Sequence, residues 1–453
     1  MSIGSGQQYE NKKTFAVIVL LISVLVVDTS LFRISDLIRI YLTPSWTTTL
    51  FALMSVAYLL AQHILIGFAR TKSLQIRQLG YLHLNTLDKS VTIIQYLLSG
   101  IIVFVLLQVL IFSEFYTSTI SMAAVISYLM AIFMTMFLSL RFFSWFRFHK
   151  NPIVLFYLMS TITLIINAVF SFDLILTISP GIPALIGESQ IAGMTRPIAA
   201  NPLATTLNNG YTVTSILSFI LLWVATALLL REYSKRIGRI TYWVLVSIPL
   251  VYFLSQFPAL FFNLFGSLII SNPTFFSTVL TLFFSLSKIA GGILFGIAFW
   301  TIAKHLPNNT AVKSYMIIAA CGLILFFISN QAGSSLFQLG GVYPPFGLIT
   351  ITIIGFSSYL MLVGIYSSAI SVAQDSGLRR SIRKSIQQQT SLLDRIGTAQ
   401  MQQEIENRVL STIKSQAENL RSETGIETSL DENEMREYMN EIVTKVLAKK
   451  SEK

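Results

Sequence analysis

The chain of 453 residues has one cysteine, four histidines and little charge. Asp, Glu, Lys and Arg make up 12% of it, against about 25% in an ordinary globular chain. The single cysteine, Cys321, can form no intrachain disulfide and no cysteine-based zinc site. It sits in an apolar run, where a small side chain packed between helices is the expected role. The histidines are His63, His83, His149 and His305. None lies in the polar C-terminal stretch, which excludes a histidine-kinase phosphoacceptor helix there. No G-x-x-x-x-G-K-[ST] occurs, so no P-loop and no built-in ATP-driven pump is expected. Kinase motifs, H-E-x-x-H and paired Asp motifs are also missing. No cofactor and no metal site is expected, and catalysis is uncertain at most.

What is there is apolar. Hydrophobic residues make up 53% and the mean hydropathy is +0.68. That excludes a cytosolic enzyme, a disordered scaffold and a secreted disulfide module. A helix needs roughly 20 apolar residues to cross about 30 Å of hydrocarbon. Ten runs qualify, near 14–32, 47–69, 91–112, 119–140, 152–178, 211–230, 240–265, 275–303, 315–330 and 347–372. They lack the apolar–polar alternation of barrel strands. The expected fold is an all-α polytopic membrane protein, with a transmembrane domain over 1–372 and a helical tail over 373–453. The first run continues past Val26 and Val27 to Asp28 without a cleavage site, so it reads as a retained signal anchor.

The net charge of +11 first suggests nucleic acid. Its placement argues otherwise. Residues 373–453 hold 13 basic and 13 acidic residues, whereas 1–372 hold 19 basic and 8 acidic. Of those 19, 15 fall on alternate connections from Lys12 to Lys313, and three (Arg33, Arg39, Arg196) on the opposite set. The positive-inside rule then puts the first set, and both termini, in the cytoplasm of a cell-membrane protein. The bilayer is the expected partner and nucleic acid is not. Trp46, Trp145 and Trp243 lie near span ends, where aromatic rings favour the interface. The long outer connection 179–210 has four prolines, and reads as a stiffened loop, a lid or a re-entrant segment.

The tail is amphipathic. Leu378, Ile382 and Ile386 share one stripe, and Gly397 is the expected stop before a second helix from Met401 to Leu420. A third follows the capping box at Ser429–Glu432. The heptad register breaks at Gln389 and Thr390, which limits any coiled coil to shorter stretches. So small a bundle gains from self-association or from a protein partner. Arg379, Arg380, Arg383 and Lys384 lie where anionic headgroups would meet them.

Ionisable residues inside spans are candidate sites, because each costs about 2.5–3.5 kcal/mol to insert. Lys288 lies near the middle of the eighth span, beside Gly292 and Gly296. Asp28 and Asp173 are its candidate counter-ions. His63 lies in the second span beside Gln62, as an interhelical hydrogen bond or a relay. Pro249 and Pro258 mark a bent or broken seventh span, a candidate hinge. The expected function is a non-catalytic sensor-like or assembly module that acts through its tail. The alternative is a secondary transporter or channel with a polar site near Lys288.

Overall fold

The computed structural model describes residues 3–34, 43–77, 82–179, 184–187, 201–231, 234–257, 279, 283–306, 311–333, 342–375, 377–380 and 391–424. The chain is an all-α, multi-pass membrane protein. Among the described residues, eight helical stretches are long and apolar enough to cross a bilayer. They lie on α1 (Ile3–Arg33), α2 (Pro44–Arg77), α3 (Leu82–Phe112), α4 (Thr117–Phe148), α5 (Pro152–Ile178), α6 (Pro202–Leu230), α10 (Ala311–Gly333) and the pair α11 (Leu348–Thr352) and α12 (Ile354–Gln374). Between α6 and α10 come α7 (Ser234–Ile237), α8 (Arg239–Leu254) and α9 (Ser287–His305). The sequence runs 240–265 and 275–303 each extend into residues outside the described set. The last helix is α13 (Ser391–Thr424).

Two helix starts share one chemical device. Asn151 and Asn201 each precede a proline at the first helical position. Their side chains accept from the backbone N–H of Ile153 (2.9 Å) and of Leu203 (3.0 Å). Proline has no N–H to strand there, and asparagine caps one that would be stranded. Part of the long connection also pairs. Leu185–Gly187 (β2) runs antiparallel to Glu114–Tyr116 (β1), so a three-residue ribbon ties it to the turn between α3 and α4. Residues 180–183 and 188–200 of that connection lie outside the described residues.

α12 is the axis of the molecule. The most apolar stretch of Leu348–Gln374 is 100% buried, whereas the corresponding figure for α1 and α3 is 39%. α12 packs on α10, α4 and α13. Glycines let these backbones close up, as small residues do where lipid supplies no hydrophobic drive between helices. A Cβ on Gly364 would meet Ala319 N at 2.5 Å and Tyr315 O at 2.7 Å, and one on Gly322 would meet Met361 N at 2.6 Å. Gly292 and Gly296 press α9 onto Phe327 and Ile324 of α10 in the same way.

Two sequence expectations change at the tail. Gly397 does not stop a helix; α13 runs through it. Its missing Cβ makes room for Val372 of α12, whose Cγ1 would lie 2.3 Å from it. Trp145 is not an interfacial anchor either. It is 1% exposed, and its Nε1 donates to Gln400 Oε1 at 3.1 Å. Leu392, Leu393, Ile396 and Ala399 are buried on the same junction. The third tail helix, expected from Ser429 onward, lies outside the described residues.

Gly364→Ala is expected to lower the thermal unfolding midpoint of the detergent-purified protein, since both close neighbours are backbone and overpacking costs about 1–3 kcal/mol. Gly100→Ala, which meets nothing within 4 Å, is expected to leave that midpoint in place.

Candidate functional site

Backbone N–H and C=O groups in an apolar interior must find partners within the protein. Two helices here are interrupted, and a side chain from a neighbour fills each gap. The first interruption precedes α9. An unbroken helix would bond Lys288 N to Phe284 O. Instead Gln331 of α10 stands between them: its Oε1 accepts from Lys288 N at 3.3 Å, and its Nε2 donates to Phe284 O at 3.3 Å. The second lies between α11 and α12, where Ile353 turns out of the helix. Ser127 Oγ of α4 donates to Ile351 O at 2.8 Å and accepts from Gly355 N at 3.4 Å. Side chains inserted into the i to i−4 ladder are a standard cause of kinks.

Lys288 thus stands in the first turn of α9, not mid-helix as the hydropathy pattern suggests. It is 4% exposed. Its Nζ donates to Tyr211 OH at 2.7 Å and to Asn330 O at 3.2 Å, and lies 4.9 Å from the centroid of the Tyr211 ring. Tyr211 OH also donates to Asn330 O at 3.1 Å. Arg33, at the end of α1, is within electrostatic reach of both Lys288 and Tyr211. The Lys288 ammonium is therefore held by dipoles, with another cation nearby.

Asp28 is fully buried and serves the start of α11, the short helix that precedes the second interruption. Its Oδ1 accepts from Gly347 N at 3.0 Å. Its Oδ2 accepts from Thr350 N at 3.0 Å and Thr350 Oγ1 at 2.7 Å. A carboxylate on α1 thus caps α11, whose own cap residue Gly347 sits at φ 87° and offers no side chain. Thr29 Oγ1 donates to Thr350 Oγ1 at 3.3 Å. The polar layer continues outward from Thr352. Tyr58 OH and Thr352 Oγ1 are 3.3 Å apart, and Gln95 Nε2 donates to Thr352 O at 3.3 Å and to Tyr58 OH at 3.4 Å. Gln62 Nε2 donates to Ser99 Oγ at 2.7 Å and to Gln95 O at 3.4 Å.

The expected counter-ions to Lys288 thus stand elsewhere. Asp28 gives both oxygens to the α11 start. Asp173 is half-buried on α5, and no hydrogen bond joins it to Lys288. His63 is exposed; its Nδ1 lies 3.0 Å from Tyr96 OH, a bond from α2 to α3. Pro249 lies inside α8, where Trp223 Nε1 donates to Val246 O at 2.7 Å. Ser255 and Phe257 turn the chain beyond Leu254, and Ser287 Oγ donates to Gln256 Oε1 at 3.2 Å. Pro258, Arg383 and Lys384 lie outside the described residues. Arg379 points its guanidinium to the sulfur of Met401 on α13, and Arg380 is exposed. Sequence reading missed Asp88, which is 2% exposed and accepts from Tyr359 OH of α12 at 2.7 Å. Asp88 stands three residues before the apolar run begins, so the span count left it outside. No group of three or more His, Cys, Asp or Glu side chains among the described residues is placed to hold a metal.

No family model, no curated protein and no solved structure matches this chain.

Asp28→Ala leaves the N–H groups of Gly347 and Thr350 buried without acceptors, at about 1–3 kcal/mol each. A clear drop in the thermal midpoint in detergent is expected. Lys288→Met removes a buried charge at similar volume, and Tyr211 OH keeps its bond to Asn330 O. Its midpoint is expected to stay or rise, and a collapse of the fold would show that the ammonium is structural.

Proposed function

We propose that the chain is a non-catalytic sensor or assembly module, whose tail helix reports the state of the membrane core to a partner or a second copy. The supporting observation is the physical continuity of α11, α12 and α13. Asp28 caps α11, α12 follows across the Ser127 bridge, and α13 seats on the end of α12 through Gly397 against Val372 and on α4 through Gln400 against Trp145. A rearrangement at the bridged break has a buried rod, and then a docked helix, to move. In this reading the chain crosses the cell membrane ten times, with both termini in the cytoplasm, as the 15-to-3 division of basic residues favours. Arg379, Arg380, Arg383 and Lys384 then meet anionic headgroups, each at about 1 kcal/mol. The distal part of α13 carries exposed positions such as Ile405, which suits a partner or a short coiled coil.

A second reading has its own observation. A broken helix that begins at a buried lysine, with carboxylate-free partners among the described residues, resembles the half-helix sites of transporters. Its solute would be a small anion, and Lys288 its anchor.

The test is affinity purification of the intact protein from native membranes, with mass spectrometry, beside the variants Gly397→Leu and Lys288→Met. In the first reading, Gly397→Leu undocks α13, speeds proteolysis of the tail and changes the recovered partner. Recovery of the same proteins, or of none, from wild type and Gly397→Leu would refute it. In the second reading, a small anion raises the thermal midpoint of the wild type but not of Lys288→Met.

A further inference from the structure

One outer face of the molecule carries a polar pair among apolar side chains. His63 Nδ1 of α2 lies 3.0 Å from Tyr96 OH of α3, and the contact is exposed. Tyr96 is 44% exposed, and so are its apolar neighbours Leu60, Ile64, Ile93 and Leu97. The pair stands about 14 Å from the Lys72 end of one span and from the Thr86 end of the other, deep within both. Its hydrogen-bonding capacity is only half used. A neutral imidazole has one N–H and one bare nitrogen, and a phenol hydroxyl both donates and accepts. If the hydroxyl donates to Nδ1, Nε2–H is left to donate and the phenol oxygen to accept. In the other tautomer Nε2 is left to accept and the hydroxyl to donate. Either way one donor and one acceptor remain, and neither residue makes a second hydrogen bond among the described residues. Acyl chains offer no partner for either, and a polar group left unpaired in hydrocarbon is costly.

We propose that two copies of the chain pair along this face in the membrane, about a two-fold axis parallel to its normal, with His63 of each against Tyr96 of the other. The first support is complementarity. In a two-fold interface, if residue i of one copy meets j of the other, j meets i as well. Rotation about the normal also keeps every residue at its depth. The hydrogen bond between His63 and Tyr96 sets both at one depth, and one leftover donor beside one leftover acceptor is what a copy of the same pair complements, in either tautomer. A single leftover donor would instead call for a different partner. The second support is Gly67, one turn from His63 on the same stripe of α2. A Cβ on Gly67 would meet nothing within 4 Å, whereas one on Gly322 or Gly364 would strike backbone. The bare position therefore serves no packing within the chain. Glycine is less favourable than alanine inside a helix, and small residues in membranes mark where another helix comes close. The third is room. The spans on α2 and α3 are 44% and 39% buried, so most of both is uncovered. The pairing involves neither Lys288 nor the tail.

The experiment counts subunits of the full-length, fluorescently labelled protein in liposomes, by single-molecule photobleaching over a series of falling protein-to-lipid ratios. The wild type is expected to bleach in two steps, giving way to one only at high dilution. His63→Leu and Tyr96→Phe each remove both bonds between the copies, and are expected to weaken the dimer about tenfold. Gly67→Leu is expected to separate the copies with the helix content of the wild type by circular dichroism, because a side chain there meets nothing in its own chain. It keeps the test open should His63→Leu fail to fold. Gly397→Leu, which disturbs the tail, is expected to keep two steps. Single steps for the wild type at every ratio, or two steps undiminished in Gly67→Leu or in Tyr96→Phe, would each overturn the proposal. The first outcome would leave the face to lipid or to a different protein. The second, with steps lost in Gly397→Leu instead, would place self-association in the tail.

Discussion

Inside a bilayer an unpaired peptide group costs several kcal/mol, and this chain interrupts two helices there all the same. Everything else in the core follows from how those interruptions are closed. Gln331 stands in for the missing bond between Phe284 and Lys288, and Ser127 for the one between Ile351 and Gly355. Both are neutral side chains that donate and accept at once, so each repairs two peptide groups with one residue. Each also comes from an adjacent helix, so the repair doubles as an interhelical tie. The break is therefore a place where a helix's continuity depends on its neighbour's position.

That dependence gives α12 its standing. It is buried along its length, it begins at a repaired break, and its far end carries α13. Close glycine contacts set Gly364 on Ala319 and Gly397 on Val372. Such contacts resist sliding, because a shift brings side chains into backbone. In the proposed reading, these contacts are what would carry a movement at one end of α12 to the other. The peripheral helices α1 and α3 keep their outer faces exposed. α1 enters the core at Asp28 and Thr29, where it meets α11.

The helices were legible because they rest on local chemistry. Long apolar runs give spans, whereas the Asn-Pro start at 201–202 went unread and α6 begins within the stretch that reads as the outer connection. The breaks were not legible. Nothing in FSLSKIA or GLITITIIG lowers hydropathy enough to end a run, and no proline marks either point. The residues that make the breaks tolerable, Ser127 and Gln331, are distant in sequence and unremarkable in composition. Gln95 escaped for the same reason: a neutral amide leaves charge counts untouched. Gly397 misled because a glycine that ends a helix and one that admits a neighbouring backbone read alike in a single chain. Trp145 misled likewise, since its partner Gln400 lies 255 residues away. Lys288 and Asp28 were found by their charge, but their partners were not, because carbonyls and N–H groups carry no letter in the sequence.

The separation of Lys288 from Asp28 is itself informative. Paired, the two would form a closed ion pair, which tends to cost as much in desolvation as it returns. Each is instead held by dipoles in its own place: the carboxylate on the N–H groups that open α11, the ammonium on a phenol and a carbonyl. Two buried charges of opposite sign in two places leave two local fields unspent. The buried charges thus support helix ends and polar contacts within the core, rather than one tie between two helices.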